Sequence, residues 1–481
     1  MEIMFPKEAA MLLGGMFERF ILDAPMPVLF RLLMERALDP EELDRMFEST
    51  ATRQYTRELL FSSLVDLIAV VVCRMKPSVR RAYLDASGIA ATLTAVYEKL
   101  KGTEPAVCRG LVRTTARRLA EVLGPLQPGR PACLPGYRVK VFDCNHLAGT
   151  EHRIPETRDV EEAVLPGQTL VVYDLDLGLV IDAVPCEDAH AQERTLLGEM
   201  LEGCDPGDLW LGDRNLGVAW WFLEVSRRGG YFLVRQHATA VHLEPLEEFV
   251  AVGRTATGEV QEQRVRVVEM DGHGRPRLDE RGQPRQMELR RLRVLLNEPT
   301  QDGDTEVRLL SNVPARHAGA LTLSDLYLRR WTIENGFQTM TEVLQCEVDT
   351  LAYPKAALLC FCTALVGFNI LATVRAALRR EHGAEAVDQG VSSYHVMCEV
   401  RETYRGMMIA LPPADWAPSR SLSTAAFVEL LREVAGQANL RKYPLTHRKP
   451  KPGGRRSRSR RSKKGKNHAT ARLLNQRIAK R

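Results

Sequence analysis

Near Pro135 the period of the apolar residues changes, and that change constrains the fold of this chain more than any other feature. Before it, apolar residues recur mostly three or four apart, as in Phe17 to Leu22, Leu29 to Met34 and Leu59 to Val72. That is the period of a helix with one buried face. The clearest helix is expected from Pro105 to Leu123, with Thr103 placed to cap it, Pro105 in its first turn and Gly124-Pro125 stopping it. After Pro135, short apolar runs bounded by turn residues take over. Tyr137 to Phe142 reads as a strand ending at Asp143, and Leu170 to Tyr173 and Val180 to Val184 read as a hairpin around Asp174-Leu175-Asp176-Leu177-Gly178. A helical stretch from Ala189 to Leu201 follows, then strands at Leu209 to Leu211, just before Asp213, and at Tyr231 to Val234. A hairpin first, then alternation of helix and strand, predicts a mixed sheet with helices on its faces.

From about His237 to Thr305 the texture is β-rich, with candidate strands at Arg264 to Val268 and Met287 to Leu296 between Gly- and Asp-rich turns. This is read as an insertion, after which Val307 to Leu310 resumes the main sheet. Helices are expected from Thr322 to Met408, a hinge at Pro412, Pro413 and Pro418, and a further helix near Thr424 to Ala435. The expected organisation is therefore four segments: helical over 1–130, α/β over 131–410 with the insertion about 237–305, helical over 411–447, and a basic tail over 448–481.

The net charge of +5 hides a strong asymmetry. The 17 Lys and Arg after Leu440 meet no Asp or Glu and leave 49 basic against 61 acidic residues in the first 440, a net of −12. An acidic body with a basic tail suggests an acidic polymer as partner, nucleic acid or a membrane surface. Arg448 to Lys466 lacks the apolar residues to fold alone or to lie on a membrane, so it reads as disordered and phosphate-neutralising. Ala356 to Leu378 is interrupted by Thr363, Gly367, Asn369, Thr373 and Arg375 and reads as a buried core helix instead of a membrane span. The ten cysteines include no C-x-x-C pair, which argues for reduced thiols in a cytosolic protein. The first residues lack the basic and apolar regions of a signal peptide.

Three carboxylates stand out. On the helix after Thr322, with Thr322 and Asp325 as an expected capping pair, Tyr327, Arg330, Glu334, Gln338 and Thr341 share one face. Glu334 lies at the border of the apolar face, where an unpaired carboxylate is costly. Its counter-charge is either Arg330, one turn earlier, or a metal ion. Asp143 and Asp213 each follow a short apolar strand, and two such carboxylates plus one from a helix form the all-oxygen site that Mg²⁺ or Mn²⁺ prefers. Asp174, Asp176 and Asp182 compete for the same role, and spacing alone does not choose among them. Arg109, Arg113 and Arg117, four apart on the Pro105 helix, form either a solvated charged face or a phosphate-contacting stripe. Asn145 and His146 beside Asp143 either orient a reactant or serve turn hydrogen bonding, and Trp220 and Trp221 read as packing residues.

Tyr327-x-x-Arg330-x-x-x-Glu334 resembles the Tyr-Arg-Glu-Lys signature of bacterial insertion-sequence transposases, the branch named insertion sequence four. Phe-Asp143-Cys-Asn-His-Leu is similar to that family's first acidic motif and Leu-Gly-Asp213-Arg-Asn to its second, in the same order. The resemblance implies a ribonuclease-H-like catalytic core with a β-rich insertion, preceded by an all-helical domain that binds DNA ends. It implies an active site of Asp143, Asp213 and Glu334 holding a pair of Mg²⁺ or Mn²⁺ ions, with Tyr327 and Arg330 contacting DNA near the element's end. With DNA as substrate, Arg109, Arg113 and Arg117 are read as DNA-binding too. Terminal repeats and target DNA would be the partners, with a homodimer on DNA, no membrane, and a cytoplasmic, nucleoid-associated location. The family's Lys, seven residues after the Glu, is Thr341 here. Two alternatives stay open: a nuclease of the same fold that no longer transposes, and a non-enzymatic DNA-binding protein.

Overall fold

A computed structural model describes residues 15–54, 56, 58–86, 88–237, 239–300, 303–445 and 467–479. Seven described helices precede the sheet: α1 (Gly15–Asp23), α2 (Pro25–Ala37), α3 (Pro40–Thr50), α4 (Phe61–Val72), α5 (Val79–Asp85), α6 (Leu93–Gly102) and α7 (Pro105–Leu126). In α7 Pro105 does sit in the first turn, but Glu104, not Thr103, is at the N-cap position. Its carboxylate is engaged elsewhere, accepting from the backbone N–H groups of Thr52 (3.0 Å) and Arg53 (2.7 Å) and so fastening the α3–α4 connection to the start of α7.

The described strands β1 (Arg138–His146), β3 (Gln168–Asp174), β4 (Leu179–Cys186), β5 (Asp208–Gly212), β6 (Tyr231–Arg235), β7 (His242–Pro245), β8 (Val250–Arg254), β9 (Gly258–Val268), β10 (Gln286–Leu296) and β11 (Glu306–Ser311) form one mixed sheet. Its order is β4-β3-β1-β5-β6-β11-β10-β9-β7, with β8 also on β9. The β3–β4 hairpin joins β1 antiparallel, while β1, β5 and β6 run parallel. The stretch read as an insertion therefore does not stand apart. β9 and β10 pair over their whole lengths and β10 pairs with β11, so the insertion prolongs the central sheet past β6.

Strand alternation divides the sheet between two cores. Val139 and Val141 of β1, Leu209 and Leu211 of β5 and Leu233 of β6 face the larger, helical core. Phe142, Trp210, Phe232 and Val234 face a second core closed by the short helix α8 (Leu197–Met200) and by α9 (Ala219–Arg227), where Trp221 and Phe222 are fully buried. Trp220 and Trp221 are thus packing residues.

After β11 come α10 (Ala320–Tyr327), a 3-10 turn (Leu328–Arg330), α11 (Trp331–Val343) and α12 (Pro354–His382). α10 begins after Gly319, and neither Thr322 nor Asp325 caps it. α12 is long and apolar enough to cross a membrane, but 89% of its most apolar window is buried inside the protein. It packs against α2, α4, α7 and β4. The chain ends in α13 (Ala384–Gly390), α14 (Ser393–Ala410), α15 (Pro413–Trp416) and α16 (Thr424–Gly436), then a short strand β12 (His468–Ala469) and α17 (Thr470–Ala479). α15 and α16 return to the first helices: the Trp416 ring meets Phe17 at 4.6 Å, and Arg36 donates to the Leu422 carbonyl at 3.1 Å. The helices before residue 130 consequently share one core with the sheet and with the helices after residue 354, so they do not form a detached domain.

The expectation of a tail without structure over 448–481 is corrected at its far end. β12 pairs parallel with β2 (Val164–Leu165), Arg472 bonds Asp188 at 2.9 Å, and Arg477 bonds Glu156 at 3.0 Å. Ala469, Leu473 and Leu474 supply apolar groups that the preceding basic stretch lacks, and Ala469 and Thr470 are buried. The rest of that expectation, residues 448–466 and 480–481, lies outside the described residues.

Candidate active site

The placement of the first two carboxylates follows from register. Val141 pairs with Leu211 and Phe142 with Gly212 in the parallel β1–β5 ladder, so Asp143 comes level with Asp213 one step later. Both continue the alternation of Val139, Val141, Leu209 and Leu211, and both therefore point to the helical side. Gly212 is required for this close pairing, because a Cβ there would lie 2.5 Å from Cζ of Phe142.

The third carboxylate arrives on α11. The backbone tightens into the 3-10 turn at Leu328–Arg330 before α11 starts, so the signature is not one continuous α-helix. Arg330, 5% exposed, lies between the acids: its Nη1 is 2.6 Å from Glu334 Oε1 and 3.5 Å from Asp143 Oδ2. The guanidinium also stacks on the Trp331 ring at 4.8 Å, and its Nε is buried without a partner. Burial lowers the Arg330 pKa, but Tyr327, Glu334 and Asp213 more than offset this and raise it. Asp143 is pushed up to about 6, first by burial and then by Glu334 and Asp213, against the pull of Arg330 and of the Cys144 N–H, which donates to it at 2.9 Å. Tyr327 is buried, and its phenol donates to the Gly212 carbonyl at 3.4 Å, steadying the end of β5. Burial pushes that phenol upward as well.

Two carboxylates on rigid elements thus meet one guanidinium, and the third stands level with Asp143 at the neighbouring strand end. Burial first, and then the negative charge of Glu334 and Asp213, drives Asp143 toward taking a proton. A divalent cation would remove that charge, and the all-oxygen donor set is of the kind hard cations take.

The competing acids are structural. Asp174 is fully buried, accepts from the N–H groups of Asp176 and Leu177 at 2.9 Å, and pairs with Arg138 at 2.6 Å. Asp176 accepts from Cys133 N at 2.7 Å. Asp182 is gripped by two arginines, which supports the structural reading of the stripe on α7. Both Arg109 and Arg113 form bidentate pairs with Asp182 at 2.8 to 3.0 Å, and Arg109 also bonds Glu202 at 2.9 Å. Arg117 bonds Glu42. The stripe holds α7 to β4 and to α3 because a four-residue spacing fixes a shared face without saying which acids oppose it.

Behind β1, on the face opposite Asp143, the even positions Cys144 and His146 approach Glu193 from the loop before α8. Nothing in the sequence spacing points to Glu193, which is distant in the chain and enters through the fold. Burial, then Glu193 and Asp143, push the Cys144 thiol upward.

No curated protein matches the chain. Residues 151–356 match the family model described as a transposase DDE domain, a span that includes Asp213 and Glu334 and begins just after β1 with Asp143. That match supports a transposase in general.

Proposed function

We propose that this chain is a transposase of the insertion-sequence-four type, which cleaves DNA at the ends of its element and joins them to target DNA. The observation that carries this reading is that Arg330 pairs with both Asp143 and Glu334 while the β1–β5 register brings Asp213 level with Asp143. Asp143, Asp213 and Glu334 would hold Mg²⁺ or Mn²⁺, as a pair of ions. Bound there, the metal supplies activation of an attacking water or 3′ hydroxyl and stabilisation of the leaving oxygen. The chain's own residues then do the positioning. β1 and β5 fix two carboxylates at adjacent strand ends, and Tyr327 holds the β5 end through Gly212. Arg330, once its carboxylates have another counter-charge, has buried N–H donors free for a DNA phosphate. The ribonuclease-H-like fold assignment rests on the antiparallel hairpin followed by parallel strands, with helices on both faces. A dimer on DNA in the cytoplasm, bound at the nucleoid, is part of the same reading.

Asp143→Ala, Asp213→Ala and Glu334→Ala are each expected to abolish Mg²⁺-dependent cleavage of an end-containing duplex while leaving its binding nearly intact, since ligands of one site act as a unit. Cleavage that persists in any one of the three removes that residue from the site. A second reading, a nuclease that has lost strand transfer, draws on Thr341 in place of the family's Lys. Cleavage without joining, in an assay with supplied target DNA, would favour it.

A further inference from the structure

We propose that the chain carries a second metal site, for Zn²⁺, on the reverse of its catalytic strand, made by Cys144, His146 and Glu193. The proposal goes beyond the transposase reading and does not depend on it. Alternation along β1 sends Asp143 to one face and Cys144 and His146 to the other. Two residues apart on one face of a strand, a thiol and an imidazole already form a ligand pair. Glu193 completes it from the 3-10 turn Glu193–Thr195, and one ligand atom from each of the three lies within 4.8 Å of the others. Tetrahedral Zn²⁺ bonds of about 2.0 to 2.3 Å bring such atoms to roughly 3.5 Å of one another, so a small closure suffices.

The donors choose the ion. A thiolate and an imidazole are poor ligands for Mg²⁺ and good ones for Zn²⁺, whereas the opposite face offers oxygen alone. One strand would therefore serve two ions of different chemistry without exchange between them. The fourth position opens into a cleft of about 430 Å³ lined by His146, His190, Glu193, Asn215 and His237. The Cys144 thiol donates to the Gln168 side-chain oxygen at 3.4 Å, a bond that gives way when the thiol loses its proton to bind metal. Binding releases the Cys144 proton to solvent and forms the metal–sulfur bond without any redox change.

The loop that carries Glu193 is held from its other side by the end of the chain. Arg472 donates to both Asp188 carboxylate oxygens at 3.0 Å and to the His190 carbonyl at 3.1 Å. A bound Zn²⁺ would pin this loop to β1 and so fix the C-terminal helix against the catalytic strand. The role follows from the place: a fastener behind the active site.

The test uses Co²⁺ as the spectroscopic stand-in, on the full chain in excess Mg²⁺, so that the oxygen site is already filled. One equivalent of Co²⁺ is expected to produce a near-ultraviolet thiolate-to-cobalt charge-transfer band that Zn²⁺ bleaches. Cys144→Ser should abolish the band, Cys186→Ser should leave it, and His146→Ala and Glu193→Gln should each weaken Co²⁺ binding by roughly tenfold or more. No band in the unmodified chain, or a band unchanged in Cys144→Ser, overturns the proposal. Should Cys144→Ser fail to fold, the His146 and Glu193 variants decide, and unaltered Co²⁺ affinity in both overturns it equally. None of these outcomes depends on DNA cleavage, so a failed transposase assignment would be recognised separately.

Discussion

At the scale of single residues, Asp143 carries the cost of burying a carboxylate beside two others. Its pKa is raised from 3.8 to about 6, so the folded chain binds this proton more tightly than the unfolded one does. The stability is fully present below the unfolded pKa, is lost as pH rises through the folded one, and the cost is then constant. Without metal, Asp143→Asn should therefore be more stable than the parent at pH 7 by about 1 to 3 kcal/mol, with the difference vanishing near pH 4. Thermal melts across that range check it; a difference independent of pH would mean that burial does not hold the proton there. Mg²⁺ should stabilise the parent above pH 6 and not the variant. Gly212 is the second telling residue. A methyl group there runs into a ring that is itself locked between Trp210 and Trp221, so Gly212→Ala should cost about 1 to 3 kcal/mol and displace Asp213. Chemical denaturation reads the first effect. A variant with full stability and full metal binding would show that Phe142 turns aside freely.

At the scale of elements, the end of α11 explains how Thr341 is accommodated. Its hydroxyl donates back to the Phe337 carbonyl at 3.0 Å, and its backbone carbonyl accepts from Arg74 at 3.3 Å. Arg74 also donates to the Leu344 carbonyl at 3.0 Å, and it holds a left-handed backbone with φ of 57°. A cation from the first helices thus stands at the helix end where the resembled family places its Lys, and favourably for the helix dipole. Arg74→Ala should lower the salt dependence of end binding by about one phosphate, and Thr341→Lys in the same chain should restore it. If only thermal stability falls and the salt slope holds, Arg74 is a cap and nothing more. The strands that bear Asp143 and Asp213, and the hairpin between them, were legible because each is a short apolar run with a polar end. The choice between Asp143 and Asp182 was not, because it depends on α7 lying across β4, a contact between elements far apart in sequence. The same limit hid Glu193, and the break at Leu328–Arg330 was invisible to a reading that assumes a constant turn.

At the scale of the whole molecule, the acidic body and the basic stretch are joined at both sides of the latter. Leu445 donates to the Gly390 carbonyl at 2.8 Å, and the chain is fastened again at β12 and α17 through Arg472 and Arg477. The described residues on either side of the 11 Lys and Arg between Arg448 and Lys466 are therefore both fastened to the body, the later ones beside the loop that carries Glu193. Charge of this kind neutralises phosphates without reading bases, so on DNA it should add bulk affinity and salt dependence but no discrimination. Two variants separate charge from tethering. Truncation after Leu445 removes both, and should flatten the plot of log affinity against log salt for random duplex by several phosphates' worth, at about 0.9 per phosphate. Arg472→Ala with Arg477→Ala keeps nearly all the charge and loosens only the anchor, so its slope should match the parent while proteolysis after Asn467 becomes faster. Discrimination between the element's own ends and random duplex should survive truncation. It must then reside in the body, but not in Arg109, Arg113 and Arg117 as a free stripe, since acids already hold all three. Salt titrations of the three proteins on both duplexes decide the matter. Equal slopes for the parent and the truncated chain would mean that the basic stretch stays off the DNA, and loss of end preference on truncation would make it the reader.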